Sequence, residues 1–209
     1  MRRAFVAAVA SALLVGVVVG LVLHRSLTTR SASARPPVPA ALHGEATWNA
    51  GARPAPDFAL RDQYGNRVSL ASLRGRSVAL LFMDSLCKEA CPLEGRAIAA
   101  AVRQVASPVR PRVVVVSVDP AGDTAATIAE AARKWGLPRG FEWLLGARSE
   151  LRRVWRAYDI AVDETTGDVV HSTALYLIDA RGDERAGFVM PFEPHLVAFD
   201  LRSLARSRL

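Results

Sequence analysis

Two uninterrupted apolar runs, residues 77–83 (SVALLFM) and 113–118 (VVVVSV), constrain this chain more than anything else in it. Neither alternates between polar and apolar residues. A strand that reads this way is buried on both faces, the condition of parallel strands sandwiched between helices. The segment between them is polar on one side only. From residue 92 to about 106 it places Leu93, Ala97, Ile98, Ala101, Val102 and Val105 on one stripe, the spacing of an amphipathic helix. A strand, a helix and a parallel strand make a crossover unit, so the runs predict an α/β fold.

The flanking elements extend this order. Residues 58–60 and 68–70 flank a polar turn, Gln63-Tyr64-Gly65-Asn66, and predict a small N-terminal β-hairpin. After the second run, Asp119-Pro120 ends the strand. Asp123 is a candidate cap for a helix carrying Ile128, Ala131, Ala132 and Trp135 and ending at Gly136. A short run, 141–145, reads as a further strand. Ser149 is a candidate cap for a helix with Leu151, Val154, Trp155 and Tyr158. A strand over 173–178, a turn at 179–182, a partner strand over 186–190 and a helix over about 193–206 complete the chain. That order is the order of a thioredoxin-like three-layer sandwich, expected over residues 55–209.

Upstream of the sandwich the composition changes. Arg2 and Arg3 precede an uncharged stretch, residues 4–23 (AFVAAVASALLVGVVVGLVL), long enough to cross a bilayer as a helix. A cleaved signal peptide has a shorter apolar region, with a small-residue site close behind it. Here the nearest such pattern, Ala32-Ser33-Ala34, lies past His24, Arg25 and Arg30. Residues 1–24 are therefore expected to be one uncleaved transmembrane anchor. Residues 25–54, with Pro36-Pro37-Val38-Pro39, are expected to be a stiff linker. The chain is then a single-pass cell-membrane protein whose domain lies on the extracytoplasmic side, periplasmic or extracellular. The formal charge of +7 is almost all arginine, since Lys88 and Lys134 are the only lysines. No basic run of five and no nucleic-acid motif occurs, so no nucleic-acid partner is expected.

The chain has two cysteines, Cys87 and Cys91, too few for a disulfide framework. They follow the first buried strand and precede a helix, the edge of an α/β sheet where ligand and redox sites collect. Export permits such a pair to oxidise. A disulfide here closes a five-residue loop and adds little entropic stabilisation, which argues against a mere staple. Pro92 suits the first helical position. Cys91 then stands at the positive helix end, so at least one thiol is expected to be unusually acidic. Residues four apart share a helix face. Two sulfurs converging there either close a redox disulfide or clamp a soft ion. Two thiolates and an imidazole suit Cu(I), and hold Cu(II) if another ligand joins. Structural zinc takes four protein ligands, and no fourth is evident. His171, at the entry to the strand 173–178, is placed to reach the pair, although a histidine at a strand start also occurs as a plain edge residue. Among the others, His24 flanks the membrane segment, His43 falls in the linker and His195 starts the last helix.

The chain resembles the Sco/SenC copper-chaperone family. The resemblance rests on the anchor, PDFAL-x-D-x-x-G (56–65), C-x-x-x-C-P (87–92), VSVDP (116–120) and H-x-x-x-x-YLID (171–179). It implies copper on Cys87, Cys91 and His171. It also implies a chaperone that serves the dinuclear copper site in the copper subunit of cytochrome c oxidase, rather than a turnover enzyme; the chain is expected to be a monomer. Members usually carry an aromatic residue before the first cysteine, a Pro-Asp pair after it, and often Asp before the histidine. This chain has Leu86, Lys88, Glu89 and Val170. Glu89 keeps an acidic side chain beside the metal, and Asp84 stands upstream as another. The missing Asp is expected to alter how the imidazole is oriented. The alternative function is a thiol–disulfide oxidoreductase acting on a client's cysteines, which needs both cysteines but not His171. A peroxidase would need P-x-x-x-T-x-x-C, which residues 82–86 do not supply.

Overall fold

The computed structural model describes residues 41–163 and 169–206. The expected membrane anchor and the linker up to residue 40 lie outside the described residues. Among the described residues no helix is long and apolar enough to cross a membrane.

The first apolar run becomes β4 (Val78–Met83), and the second becomes β5 (Arg112–Ser117). They pair in parallel, Val78 opposite Arg112 through Met83 opposite Ser117. β6 (Glu142–Leu144) continues the parallel set. On the other side β9 (Leu175–Ile178) runs antiparallel to β4, and β10 (Glu184–Phe188) antiparallel to β9. The outer strand beyond β10 is β1 (Ala46–Thr47), so the order is β1-β10-β9-β4-β5-β6.

Strand alternation splits the core in two. Ala79, Leu81, Met83, Val113 and Val115 point to one face. They meet α2 (Ala90–Arg103), α3 (Ala125–Trp135) and α5 (Pro194–Arg206). Val78, Leu80, Phe82, Val114 and Val116 point to the other face. There they pack against the hairpin β2 (Ala59–Arg61) and β3 (Arg67–Ser69), the short α1 (Leu70–Leu73) and α4 (Arg148–Ala157). Leu80, Leu81, Phe82 and Met83 are all wholly buried. Each contributes about 1.5–3 kcal/mol of transfer free energy, which explains why β4 itself carries no polar residue. The result is the expected three-layer α/β sandwich with its N-terminal hairpin.

α2 and α3 approach closely at Gly95, where a Cβ would lie 2.9 Å from Trp135 Cβ. α3 is capped by Thr124, whose side chain accepts the Thr127 amide, and closed by Gly136 in the left-handed region. Asp123, the expected cap, is used elsewhere. Likewise Ser149 lies inside α4, and Glu150 accepts the Ala147 amide instead.

Ordered structure also begins earlier than the sequence pattern indicates. Leu42 packs on the core, and β1 adds to the sheet through Trp48 N–H to the Arg185 carbonyl. Arg53 pairs with buried Glu184 at 2.5 Å. His43 donates its amide to Asp200 and lies 2.9 Å from the same carboxylate through Nδ1. These residues join the fold by edge pairing and isolated polar contacts, so no apolar periodicity announced them.

Candidate functional site

The site is built on the turn that leaves β4. Met83 accepts the Val118 amide, and Asp84 accepts the Cys87 amide at 3.3 Å. Asp84 Oδ1 takes the Leu86 amide at 2.7 Å. The turn is then tied to the start of α3. Ser85 N–H donates to Asp123 Oδ1 at 2.8 Å, and the Ser85 hydroxyl donates to Thr127 Oγ1 at 2.9 Å. Asp123 Oδ2 in turn accepts the Trp143 indole N–H at 3.0 Å. Asp123 is buried, so these bonds fix the turn in a medium where leaving them unmade would cost about 1–3 kcal/mol each.

α2 starts at Ala90, two residues before Pro92, and Glu89 in the cap position makes no side-chain capping bond. The sulfur of Cys87 takes that role. Its Sγ accepts the Cys91 amide at 3.4 Å, and the amides of Glu89 and Ala90 also point at it. The largest influence is the thiol of Cys91, which donates to the same sulfur, and together these outweigh burial and hold Cys87 at a pKa of about 5. Cys91 moves the other way, pushed well up by giving its proton to Cys87 and by burial. The acidic thiol expected from the helix start is therefore present, but it is Cys87 rather than Cys91. Both cysteines are free thiols, Cys87 partly exposed and Cys91 buried.

His171 reaches the pair from a separate two-stranded ribbon, β7 (Val162–Asp163) with β8 (Val170–His171). Its Nε2 lies 3.7 Å from Cys91 Sγ. Its Nδ1 lies 2.9 Å from the Ser172 carbonyl, which can only accept, so Nδ1 carries a proton and, in the neutral ring, Nε2 presents a lone pair. Val170, standing where family members often carry Asp, is exposed. The backbone of Ser172 orients the ring instead.

The donors fit a soft cation. Metal bonds of about 2.3 Å to sulfur and 2.0 Å to nitrogen, about 120° apart, set S and N about 3.7 Å from each other. That is the Cys91–His171 separation. Among the described residues no three His, Cys, Asp or Glu donors are yet gathered into one cluster. Cys91 is the shared neighbour, with Cys87 on one side and His171 on the other. Of the acids expected nearby, Glu89 is exposed and supplies an amide rather than its carboxylate. Asp84 is buried, and burial with the charges of Asp123, Asp119 and Cys87 raises it to about 6. His195 is exposed at the start of α5, away from these groups.

Two residues near the pair escaped sequence reasoning. Asp123 was read as a helix cap. Glu94 lies one turn beyond Cys91, wholly buried, and neither carboxylate oxygen has a partner among the described residues. Its signal was available, since Glu94 falls on the stripe with Cys91, Ile98 and Ala101.

Residues 47–206 match the SCO1/SenC family model. The chain belongs to the SCO1/SenC family. Its fold is likewise that of solved Sco structures. Arabidopsis thaliana ScoI with copper bound is 25% identical, with a TM-score of 0.66, over 73% of this chain and 98% of that one. Bradyrhizobium japonicum ScoI with copper bound is 27% identical, with a TM-score of 0.62, over 71% and 97%. BsSco, described as a Sco-family cytochrome c oxidase assembly protein with a disulfide switch, is 22% identical, with a TM-score of 0.64, over 78% and 98%. Comparison with curated proteins found no match. The family's copper-binding thioredoxin-like architecture is thus the setting in which Cys87, Cys91 and His171 are read.

Proposed function

We propose that this protein is a membrane-tethered copper chaperone that holds copper on Cys87, Cys91 and His171. Its client is the dinuclear copper site of cytochrome c oxidase. The observation that carries the reading is Cys91, flanked by a thiolate on one side and an imidazole lone pair 3.7 Å away on the other. Two sulfurs and one nitrogen form a soft donor set that suits Cu(I). The Arabidopsis and Bradyrhizobium ScoI structures hold copper, and BsSco is described as an oxidase assembly protein. The 4–23 stretch is the anchor in this reading, and the domain works outside the cytoplasm.

The test is Cu(I) titration of the reduced protein, with metal counted per chain. One copper per chain is expected, lost in C87S, C91S or H171A. Undiminished stoichiometric binding in H171A would sink the assigned site.

A second reading, thiol–disulfide exchange on a client, is favoured by the asymmetry of the cysteines. An accessible thiolate beside a buried thiol is the arrangement of an attacking and a resolving sulfur. In this reading Cys87 and Cys91 alternate between dithiol and disulfide, and client reduction survives H171A.

A further inference from the structure

At the far end of the sheet from the cysteines lies a cavity of about 700 Å³ walled by arginine. Arg76 precedes β4 and Arg112 opens β5. Arg103 comes from the last turn of α2, Arg110 from the loop after it, and Arg139 from the loop after α3. No acidic side chain lines the cavity. β4 and β5 are six residues each, so this end is about 20 Å from the Cys87 turn.

Part of this charge has an ordinary structural use. The Arg112 guanidinium pairs with Glu142. Arg110 Nε donates to the Val105 carbonyl, and Arg76 donates to the Arg110 carbonyl. The C-terminal ends of α2 and α3 also face the cavity and welcome cations. Those uses do not exhaust it. Against five guanidinium charges stand one carboxylate and two helix ends of about half a charge each, leaving roughly three positive charges uncompensated. Arg103 and Arg139 make no hydrogen bond or ion pair among the described residues. The three bonded arginines hold the wall in place, and the two others are open to an incoming ligand. Guanidinium is planar, always charged in this setting, and its forked N–H groups match phosphate oxygens in pairs. Pockets of this volume that serve neutral ligands are lined mainly by apolar and aromatic groups; here the charged wall selects for anions.

We propose that this cavity binds a phosphate-bearing anion carrying more than one negative charge or presenting its phosphate at high local density. Arg103 and Arg139 supply the contacts, while Arg76, Arg110 and Arg112 supply the field. The ligand has two possible sources, a free di- or polyphosphate and the headgroup of an anionic phospholipid. The cavity is at the opposite pole from the cysteines, so occupancy leaves Cys87 and His171 uncovered.

The test uses the full chain in a neutral detergent, titrated with pyrophosphate and, separately, with dihexanoyl-phosphatidylglycerol below its micelle concentration. Ionic strength is held constant with chloride. Calorimetry reads affinity, and thermal unfolding reads the stabilisation that binding to the folded state must bring. Saturable binding that weakens at least about tenfold in R103A/R139A is expected. The unliganded melting temperature of that variant should stay close to wild type, because both side chains are exposed. R152A/R156A removes the same charge from the exposed face of α4 and should bind as wild type. A response to pyrophosphate alone assigns a free phosphate ligand; a response to the lipid assigns a headgroup. Equal binding in R103A/R139A and wild type, equal weakening in R152A/R156A, or no binding of either probe would overturn the proposal.

Discussion

Glu94 is a thermodynamic weakness beside the cysteine pair. It is fully buried on α2, and its oxygens have no partner among the described residues. Burial first, and then the negative charge on Cys87, raise its pKa from 4.5 to about 8. The sign follows from linkage. The folded state keeps a proton that the unfolded chain releases, so ionisation linkage costs nothing below pH 4.5. The cost then grows as the pH rises and levels off above pH 8. At about 1.4 kcal/mol per pH unit, the cost at pH 7 is up to about 3 kcal/mol. Glu94→Gln has the shape of the protonated acid but cannot ionise. It should match wild type at pH 4.5 and be more stable by up to about 3 kcal/mol at pH 7. With a urea slope of about 2 kcal/mol/M, that moves the unfolding midpoint up by about 1.5 M at pH 7. Urea unfolding followed by tryptophan fluorescence at both pH values measures it. A midpoint shift of equal size at the two pH values, or none at pH 7, would refute a buried carboxyl held protonated.

The thiol asymmetry makes two further predictions. Iodoacetamide should alkylate Cys87 at a rate that is flat from pH 9 to 7 and half-maximal near pH 5, leaving Cys91 unmodified while the protein is folded. An ordinary thiol profile, with the rate still climbing above pH 8, would contradict the amide cradle. In the copper reading, loading Cu(I) at pH 7 should release about one proton per metal, because Cys87 is already a thiolate and only Cys91 must give one up. Two protons per metal in a weakly buffered titration would contradict it. Gly95→Ala should destabilise. The methyl would sit 2.9 Å from Trp135 Cβ, at an overpacking cost of about 1–3 kcal/mol. That exceeds the helix-propensity gain of about 1 kcal/mol. A raised melting temperature would count against it.

The sheet and its helices were legible because burial writes them into the sequence. β4 is apolar at every position and β5 from Val113 to Val116, since both faces are covered there, and α2 and α3 show their inner stripe. The cysteine turn was legible by its place after β4. What was not legible depends on contacts between distant residues. β1 is two residues long and is held by pairing to β10. His43 joins the fold through Asp200, which is 157 residues away. The choice of Cys87 over Cys91 as thiolate turns on where α2 starts. Pro92 is compatible with any position in the first turn, and only the observed start at Ala90 aims three amides at Cys87.

The chain's departures from the Sco pattern take on a different meaning once these contacts are known. Lys88, Glu89 and Val170 stand where the pattern has Pro, Asp and Asp, and each is solvent-exposed. Apart from the two thiols' effect on each other and burial, the main groups that tune the donors are backbone groups. The amides of Glu89, Ala90 and Cys91 hold the Cys87 sulfur, the Asp84 amide reaches Cys91, and the Ser172 carbonyl fixes the His171 tautomer. A side-chain substitution cannot delete a backbone amide or carbonyl, so these positions can diverge while the donors stay posed. The same positions, with exposed Leu86 and Leu93, form the surface around Cys87 that a client would meet in the proposed reading. Divergence there changes the charge and shape offered to a partner more than it changes the donor set. In the copper-chaperone reading, copper affinity should therefore track the family while recognition of the acceptor departs from it.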